Sequence, residues 1–550
     1  MSSQNHNSGK SSPATQLPSL KLLFLSLGLS AAVAACNGGS SPSSVTTTGP
    51  VSTAYTAGVF APSSNFANRC ATPRSGTDPI TNKRYPDISG SAAIENFWLR
   101  SWTHELYLWY KEVPDLNPNN YTSPANNYFP LLKTAAITTS GKDKDKFHFI
   151  YDTAQWESFS QSGVSAGYGV EWIILNGTSP NRVLTVAYTD PNTPASQNNI
   201  TRGEQVISVD GARVSDGSAN ILNAGLFPSN LNESHTFVLQ ALNSSQRTVT
   251  MISANITSTP VQHAGVIPGT NGQVGYIQFN DHIAPAEQQF ISAVTLLNNA
   301  AITDLVLDLR YNGGGYLDLA SEIAYMIAGG TQTAGKIFEQ ANFNDQYSTN
   351  INPVTGGSNP ATPFLSTTQG FSTTAGLALP VLNLNRTLNR VYVLTGTGTC
   401  SASEAIINGL RGIGMTVVQI GSTTCGKPYG FYPQDNCGTT YFSIELKGNN
   451  NVGFGDYTDG FSPANSLTAN SGVSVPGCSV ADDFTHQLGD PLEGRLAAAL
   501  FYRANSSCSA GPTGIAGRSQ IRSASDQVDL SNAEGTMFKQ PFRENRIMRQ

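Results

Sequence analysis

The stretch Arg390-Val391-Tyr392-Val393-Leu394-Thr395-Gly396-Thr397-Gly398-Thr399-Cys400-Ser401-Ala402-Ser403-Glu404 decides how this chain is read. Its first six residues are an apolar, β-branched run of the kind that forms a buried strand. Gly396 and Gly398 punctuate the run. Ser401–Leu410 then reads as a helix and Met415–Ile420 as another strand. Upstream, Val274–Phe279 reads as a strand, Ala284–Asn298 as a helix, Asp304–Leu309 as a strand running into Arg310, and Leu317–Ile327 as a helix. Strands alternating with helices predict an α/β core with parallel pairs. Ligands of such sheets bind beyond the carboxyl ends of the strands. Asp308–Gly315 and Thr395–Ser401 both fall at such ends.

Three segments there carry chemistry. Ser401 opens a helix after a strand, which exposes its hydroxyl and aims a helix N-terminus at developing negative charge. Ser at a helix start is also the commonest N-cap, and Ser403 competes for either role. Lys427 follows Ser401 by 26 residues, within Cys425-Gly426-Lys427-Pro428-Tyr429-Gly430-Phe431. Its aromatic neighbours suit a desolvated lysine able to accept a proton, although a solvated loop lysine fits the same spacing. Gly313-Gly314-Gly315 offers backbone N–H groups for an oxyanion, or makes a tight strand-to-helix turn. A Ser and a Lys so placed make a nucleophile and its base without histidine. His104, His148, His235, His263, His282 and His486 lack any supporting motif.

Composition narrows the remaining classes. The chain has 550 residues, of which 39% are hydrophobic and only 12% charged, with a net charge of -6. Gly, Ser, Thr and Asn take up the difference, a balance that suits an exported protein. No basic block supports nucleic-acid binding. No CxxC pair or histidine cluster suggests a metal, and no cofactor is expected.

Lys10 and Lys21 precede the apolar run Leu22–Leu29, which continues through small residues to Val33-Ala34-Ala35-Cys36. The run is short for a membrane span. It resembles a bacterial lipoprotein signal, with Cys36 as the lipidated residue; an ordinary secretory signal is the alternative. Asn37 after Cys36 implies outer-membrane sorting. The expected location is therefore the bacterial cell envelope, with the chain lipid-anchored and facing periplasm or exterior. Residues 37–62 read as a flexible tether. Six cysteines remain, an even number that suggests disulfides in an exported chain. Cys425 with Cys437, and Cys478 with Cys508, are the expected pairs.

Asn96–Tyr110 and Asn127–Ala136 read as helices of a helical N-terminal domain over 63–158. Between 159 and 258 the pattern changes to short strands. Gly167-Tyr168-Gly169, Thr193-Pro194-Ala195-Ser196 and Gly203-Glu204 through Asp210-Gly211 together resemble a PDZ domain. That resemblance implies that Gly167, Tyr168 and Gly169 receive the carboxylate of a substrate tail, the peptide adding as an edge strand. Residues 259–508 form the α/β core, with 331–377 as an inserted segment, and 509–550 read as a disordered tail.

With these segments in order, the chain resembles the C-terminal processing, or tail-specific, serine proteases. The motifs that match are Val274-Gly275-Tyr276-Ile277 through Asp308-Leu309-Arg310-Tyr311-Asn312-Gly313-Gly314, then Ser401-Ala402-Ser403-Glu404, then Gly426-Lys427. The resemblance spans roughly residues 160–500. It implies a multidomain α+β and α/β fold with a ClpP/crotonase-like catalytic core. It also implies a Ser401/Lys427 dyad, an oxyanion hole from Gly314 and Ala402, and protein or peptide substrates recognised through C-terminal tails. Where many members carry a lysine-orienting Gln, this chain has Phe431, with Gln434 as a weak substitute, and Cys400 is an unusual neighbour for the nucleophile. A non-catalytic PDZ-containing envelope binding protein is the alternative these departures motivate.

Overall fold

A computed structural model describes residues 51–138, 140–269, 272–384, 389–465, 472–509 and 546–548. The signal segment 1–36, Cys36 and the first part of the tether lie outside the described residues. Among those described, no helix is long and apolar enough to cross a membrane.

The central sheet has six strands, in the order Val261–Ile267, Val274–Phe279, Asp304–Asp308, Arg390–Thr395, Thr416–Gly421 and Gly477–Ser479. The first pairs antiparallel with its neighbour, and every later pair is parallel. Parallel neighbours need crossover connections. Helices Ala286–Asn299, Leu317–Ala328 and Ala402–Gly412 lie in those connections. The strands alternate cleanly between two cores, as their two-residue period requires. Ile277, Leu305, Leu307, Val391, Val393 and Val417 join the helices on one face. Tyr276, Val306, Tyr392, Leu394, Val418 and Ile420 meet Leu496 and Ala499, from the helix Gly494–Asn505, on the other.

Register places three strand ends side by side, with Asp308 opposite Leu394 and Thr395 opposite Gly421. The Gly313–Gly315 loop, the Ser401 turn and the Lys427 loop all leave the sheet at this edge. Residues roughly 90 and 25 apart in sequence are thereby brought together by topology alone, as expected for open α/β sheets.

A second sheet runs Gln246–Ile252, Ser234–Gln240, Gln205–Val209, Val183–Thr189 and Val170–Asn176, with Ala212–Arg213 beside Gln205–Val209. Its core contains Tyr168, Trp172, Val186, Leu222 and Phe237. A buried charge cluster joins it to the central sheet. Arg202 donates to the Tyr311 hydroxyl at 2.6 Å and to Asp482 at 2.7 Å. Arg310 donates to the same Asp482 at 2.8 Å and to Glu493 at 2.7 and 2.9 Å. Burial opposes the charge on Arg310, but Asp308, Glu493 and Asp482 outweigh it and hold its pKa well above the ordinary value.

The N-terminal segment differs from the expected helical domain. Ala92–Leu106 is a helix, capped by the Ser91 hydroxyl. The helix expected over 127–136 is replaced by short turns at Pro124–Tyr128 and Phe129–Leu131. Pro130 lacks the N–H a longer helix would need. Phe149–Asp152 is a strand that pairs antiparallel with Thr439–Phe442. Trp98 and Trp102 pack on Tyr441 from that same strand. This segment shares a sheet and a hydrophobic cluster with residues near 440. The inserted segment is likewise built in: Ile337–Asn342 pairs with Leu446–Asn449. The Glu287 carboxylate accepts N–H bonds from Gln369, Gly370, Ser372 and Thr373 at 2.8–3.0 Å.

The expected Cys425–Cys437 pairing is corrected. Cys425 is bonded to Cys400, and Cys437 to Cys70, with Cα separations of 5.1 and 5.4 Å. The Lys427 loop folds back on the helix that Ser401 opens, which brings Cys425 beside Cys400. Cys437 lies at the turn between Gln434–Asn436 and Thr439–Phe442, against the N-terminal segment. Cys478 is bonded to Cys508. The disordered tail expected over 509–550 falls mostly outside the described residues. Within it, however, Arg546–Ile547 is a strand.

Candidate active site

Ser401 stands immediately before the helix Ala402–Gly412 with φ 57° and ψ -111°. An ordinary N-cap is extended. A non-glycine residue held in so sparsely populated a region needs surrounding structure to impose it, and such residues cluster at functional sites. The imposition is visible on both sides. Cys400 donates its N–H to Asn312 O at 3.1 Å, and its sulfur is bonded to Cys425. The Ser401 N–H donates to Glu404 Oε2 at 2.9 Å. Ser403, the competing serine, donates its hydroxyl to Asn312 O at 3.0 Å. Its hydroxyl therefore ties the helix to the glycine loop.

Glu404 organises the lysine loop as well. Its Oε2 accepts the Lys427 N–H at 2.8 Å, and its Oε1 accepts the Gly426 N–H at 2.9 Å and the Thr424 hydroxyl. Burial pushes the Glu404 carboxyl above its ordinary pKa, and the bonds from Thr424, Lys427, Gly426 and Ser401 work against that rise. Gly426 has φ +85°, and a Cβ there would lie 2.2 Å from Thr458 O. Only glycine makes this turn.

Ser401 and Lys427 are both fully buried. The Lys427 amine lies 4.5 Å from the Phe147 ring centre and 4.6 Å from that of Phe431. Phe431, at the position where a Gln was expected, thus puts an aromatic face on the amine. Gln434 belongs to the adjoining hairpin, opposite Tyr441. Loss of water penalises an ammonium, while π faces favour it. Cys400, Glu404 and Cys425 present ligand atoms within 4.8 Å of one another. Because the two sulfurs are bonded to each other, neither is available as a thiolate.

Gly313-Gly314-Gly315 abuts this centre through Asn312. The Asn312 carbonyl takes the Cys400 and Ser403 bonds already described. Its side-chain Oδ1 accepts the Gly314 N–H at 2.9 Å and lies 3.0 Å from His282 Nδ1. The Gly314 N–H, expected to face an oxyanion, is therefore committed to Asn312. Gly313, next to it, and Ala402, in the first turn of the helix, are the donors left to consider. His282 brackets the loop: its N–H donates to Gly314 O at 3.0 Å, and its carbonyl accepts from Tyr316 N at 2.9 Å. It is fully buried, and burial lowers its pKa to about 3. Neither Glu404, Asn312 nor His282 was assigned a role from sequence. The Ser-Ala-Ser-Glu spacing signals Glu404 as the residue one helical turn after Ser401, and nothing local signals the other two.

The residues Gly167, Tyr168 and Gly169 lie elsewhere, where the strand Val164–Gly167, paired with Ala254–Thr257, turns into Val170–Asn176 of the second sheet. They line a groove with Val170, Leu226 and Phe227, beside the edge strand Val170–Asn176. Tyr168 is buried there, and its hydroxyl donates to Gly225 O at 3.1 Å. Gly169 has φ +73°, and a Cβ would meet the Thr193 side chain at 2.4 Å.

Residues 273–431 match the family model for peptidase family S41. The chain is similar to the carboxyl-terminal-processing protease of Picosynechococcus sp., 28% identical over 166 residues, which is 30% of this chain and 39% of that protein. It is similar to the chloroplastic C-terminal processing peptidase of Tetradesmus obliquus, 26% identical over 264 residues, 46% of this chain and 49% of that protein. The matches thus span less than half the length of these curated relatives. A crystal structure of a Bacteroides fragilis protein assigned to the S41 proteases has the same fold, with a TM-score of 0.51 at 22% identity over 77% of this chain and 98% of that one. The segment that is similar to peptidase family S41, residues 273–431, contains the glycine loop, Ser401 and Lys427.

Proposed function

We propose that this chain is a serine endopeptidase of the tail-specific type, working through Ser401 and Lys427. The observation that carries the reading is the shared carboxylate: one oxygen of Glu404 accepts the backbone N–H of both residues. A single buried group thereby fixes the proposed nucleophile and base relative to each other, which is what an oriented, unimolecular proton transfer requires.

In this reading the Ser401 hydroxyl attacks the peptide carbonyl as the Lys427 amine removes its proton. The N–H groups of Ala402 and Gly313 receive the negative charge on the carbonyl oxygen; Gly314 contributes only where Asn312 releases it. Lys427 then protonates the leaving amine. Water, deprotonated by the same lysine, releases the acyl group from Ser401. Full burial of Lys427 supports its acting as an uncharged base. The groove at Gly167, Tyr168 and Gly169 serves as a PDZ-like site for substrate C-terminal tails, an assignment supported by an edge strand beside a helix, Ala219–Leu226. The signal-like run and Cys36 support a lipid-anchored protein of the bacterial envelope acting on envelope proteins.

Cleavage of an unfolded protein by purified wild-type, Ser401→Ala and Lys427→Ala forms tests the reading. Both variants should be inactive while keeping the wild-type melting temperature within a few degrees. Activity of Ser401→Ala at the native rate contradicts it.

A further inference from the structure

The segment Arg546–Ile547 runs parallel to Gly315–Tyr316, with Arg546 opposite Gly315 and Ile547 opposite Tyr316. On its other side Ile547 bridges to Phe431, and Met548 donates its N–H to Phe431 O at 3.0 Å. These two flanks are the halves of the proposed catalytic centre. Gly315 ends the glycine loop, and the Phe431 ring stands on the Lys427 amine. The segment fills the gap between them as a strand. It continues the pairing in which His282 already bridges Gly315 from the opposite side. Ile547 is 3% exposed and belongs to the apolar cluster that contains the Cys400 and Cys425 disulfide, Phe147 and Phe431.

Nothing in the local composition explains this order. Residues 509–550 are polar and poor in apolar side chains. A short polar-flanked stretch becomes a strand only where an unpaired edge and an apolar pocket receive it, which is the physics of strand addition. The pairing also specifies what the site accepts. It takes an extended peptide running parallel to Gly315–Tyr316, with an aliphatic side chain buried in the cluster that holds Phe431 and the disulfide.

We propose that residues 546–548 occupy the substrate-strand site of the catalytic centre, so that the chain carries its own competing ligand. Substrates must displace it, and those with an aliphatic residue at the Ile547 position do so best. The proposal rests on the peptidase reading for the identity of the site, but docking itself requires no catalysis. A segment tethered in cis competes at an effective concentration on the order of mM, well above that of a dilute substrate.

The test uses the full chain carrying Ile547→Asp, which places a carboxylate in the buried position. If the segment occupies the site about 90% of the time, only about one molecule in ten is competent, and its release raises apparent reactivity about tenfold. Fluorophosphonate labelling of Ser401, followed by mass spectrometry, and cleavage of an unfolded protein should both rise by that factor. A synthetic peptide of residues 541–550 should restore the wild-type rates, and the same peptide with Ile547→Asp should not. Measurable labelling at equal rates in wild type and variant overturns the proposal. Docking is read separately by fluorescence anisotropy of the labelled peptide on the inactive Ser401→Ala, Ile547→Asp protein. Saturable binding, displaced by unfolded substrate, is expected there, and its absence overturns the proposal. Failure of Ser401 to react in any form, with peptide binding intact, would instead refute the peptidase reading alone.

Discussion

Ser401 and Lys427 donate their backbone N–H groups to one oxygen atom, Glu404 Oε2, at 2.9 and 2.8 Å. Two residues on separate loops are thereby spaced by a third that need not touch substrate. The same carboxylate also receives Gly426 and Thr424 through its other oxygen. The Cys400–Cys425 bond reinforces the arrangement covalently, from the residue just before Ser401 to the residue two before Lys427.

Glu404→Gln is the sharpest test of that spacing. The amide keeps one acceptor oxygen and presents an NH2 where two donors now point. Each buried donor left unpaired costs about 1–3 kcal/mol. A displacement of about 1 Å at a reacting group costs roughly 100-fold in rate. The expected result is a loss of kcat on that order with KM nearly unchanged, measured by steady-state cleavage, together with a lower melting temperature. Unchanged kcat in a destabilised protein would assign Glu404 to stability alone.

The disulfide beside the proposed nucleophile should matter for rate as well as for stability. Closing a loop of this size stabilises a chain by about 3 kcal/mol on the entropic account. Replacing both Cys400 and Cys425 with Ala should lower the melting temperature and reduce kcat. Replacing both Cys478 and Cys508, at the far edge strand, should lower the melting temperature and leave kcat as it is. Equal kinetic effects of the two pairs would contradict the placement.

Asn312 links the glycine loop to the helix through its carbonyl, which accepts from Cys400 and Ser403, and through its side chain, which accepts from Gly314. Asn312→Ala keeps the carbonyl bonds but frees the Gly314 N–H and removes the side-chain bonds to His282 and the Phe279 carbonyl that hold the loop. Loss of oxyanion-hole alignment typically costs about 100- to 1000-fold in kcat. That fall, with little change in KM, is expected in the cleavage assay. A rise in kcat would mean that the Gly314 N–H is a donor that Asn312 restrains.

How far these features were legible in sequence follows from the range of the forces involved. The strand–turn–helix around Ser401 and the parallel core show in local periodicity, because each strand alternates between two cores. The glycine loop and the Lys427 loop carry their own composition. The partner of Cys425 does not, since Cys400 is near it only after the lysine loop folds back onto Glu404. The helix expected over 127–136 failed where Pro130 broke it into turns. Cys70 meets Cys437, 367 residues away, through a sheet that no local pattern announces. Ile547 finds order in a polar stretch because its pocket is made by residues more than a hundred positions upstream.

Buried ionisable groups give the protein opposing pH responses. Burial lowers His148 to about 4 and His282 to about 3 from the usual 6.5. Each is neutral when folded but binds a proton when unfolded, so its stabilising effect is complete above pH 6.5 and is lost as pH falls from there toward its folded value. Burial raises Glu445 to about 8 from 4.5, with the Tyr432 N–H bond opposing. Its contribution is complete below 4.5 and is lost as pH rises through 8. In thermal melts across pH 5–8.5, His282→Gln should reduce the loss of stability on the acid side. Glu445→Gln should reduce the loss on the alkaline side. Parallel curves for wild type and either variant would contradict the corresponding assignment.

The central claim is that Ser401 is a nucleophile activated by Lys427. The most direct measurement is the rate at which an unfolded protein is cleaved by wild-type, Ser401→Ala and Lys427→Ala enzymes of equal purity and matched melting temperature. Loss of either member of such a catalytic pair should reduce kcat/KM by at least about 1000-fold. The account predicts that loss for both single variants, with no further loss when they are combined. Cleavage by Ser401→Ala at the wild-type rate would contradict it.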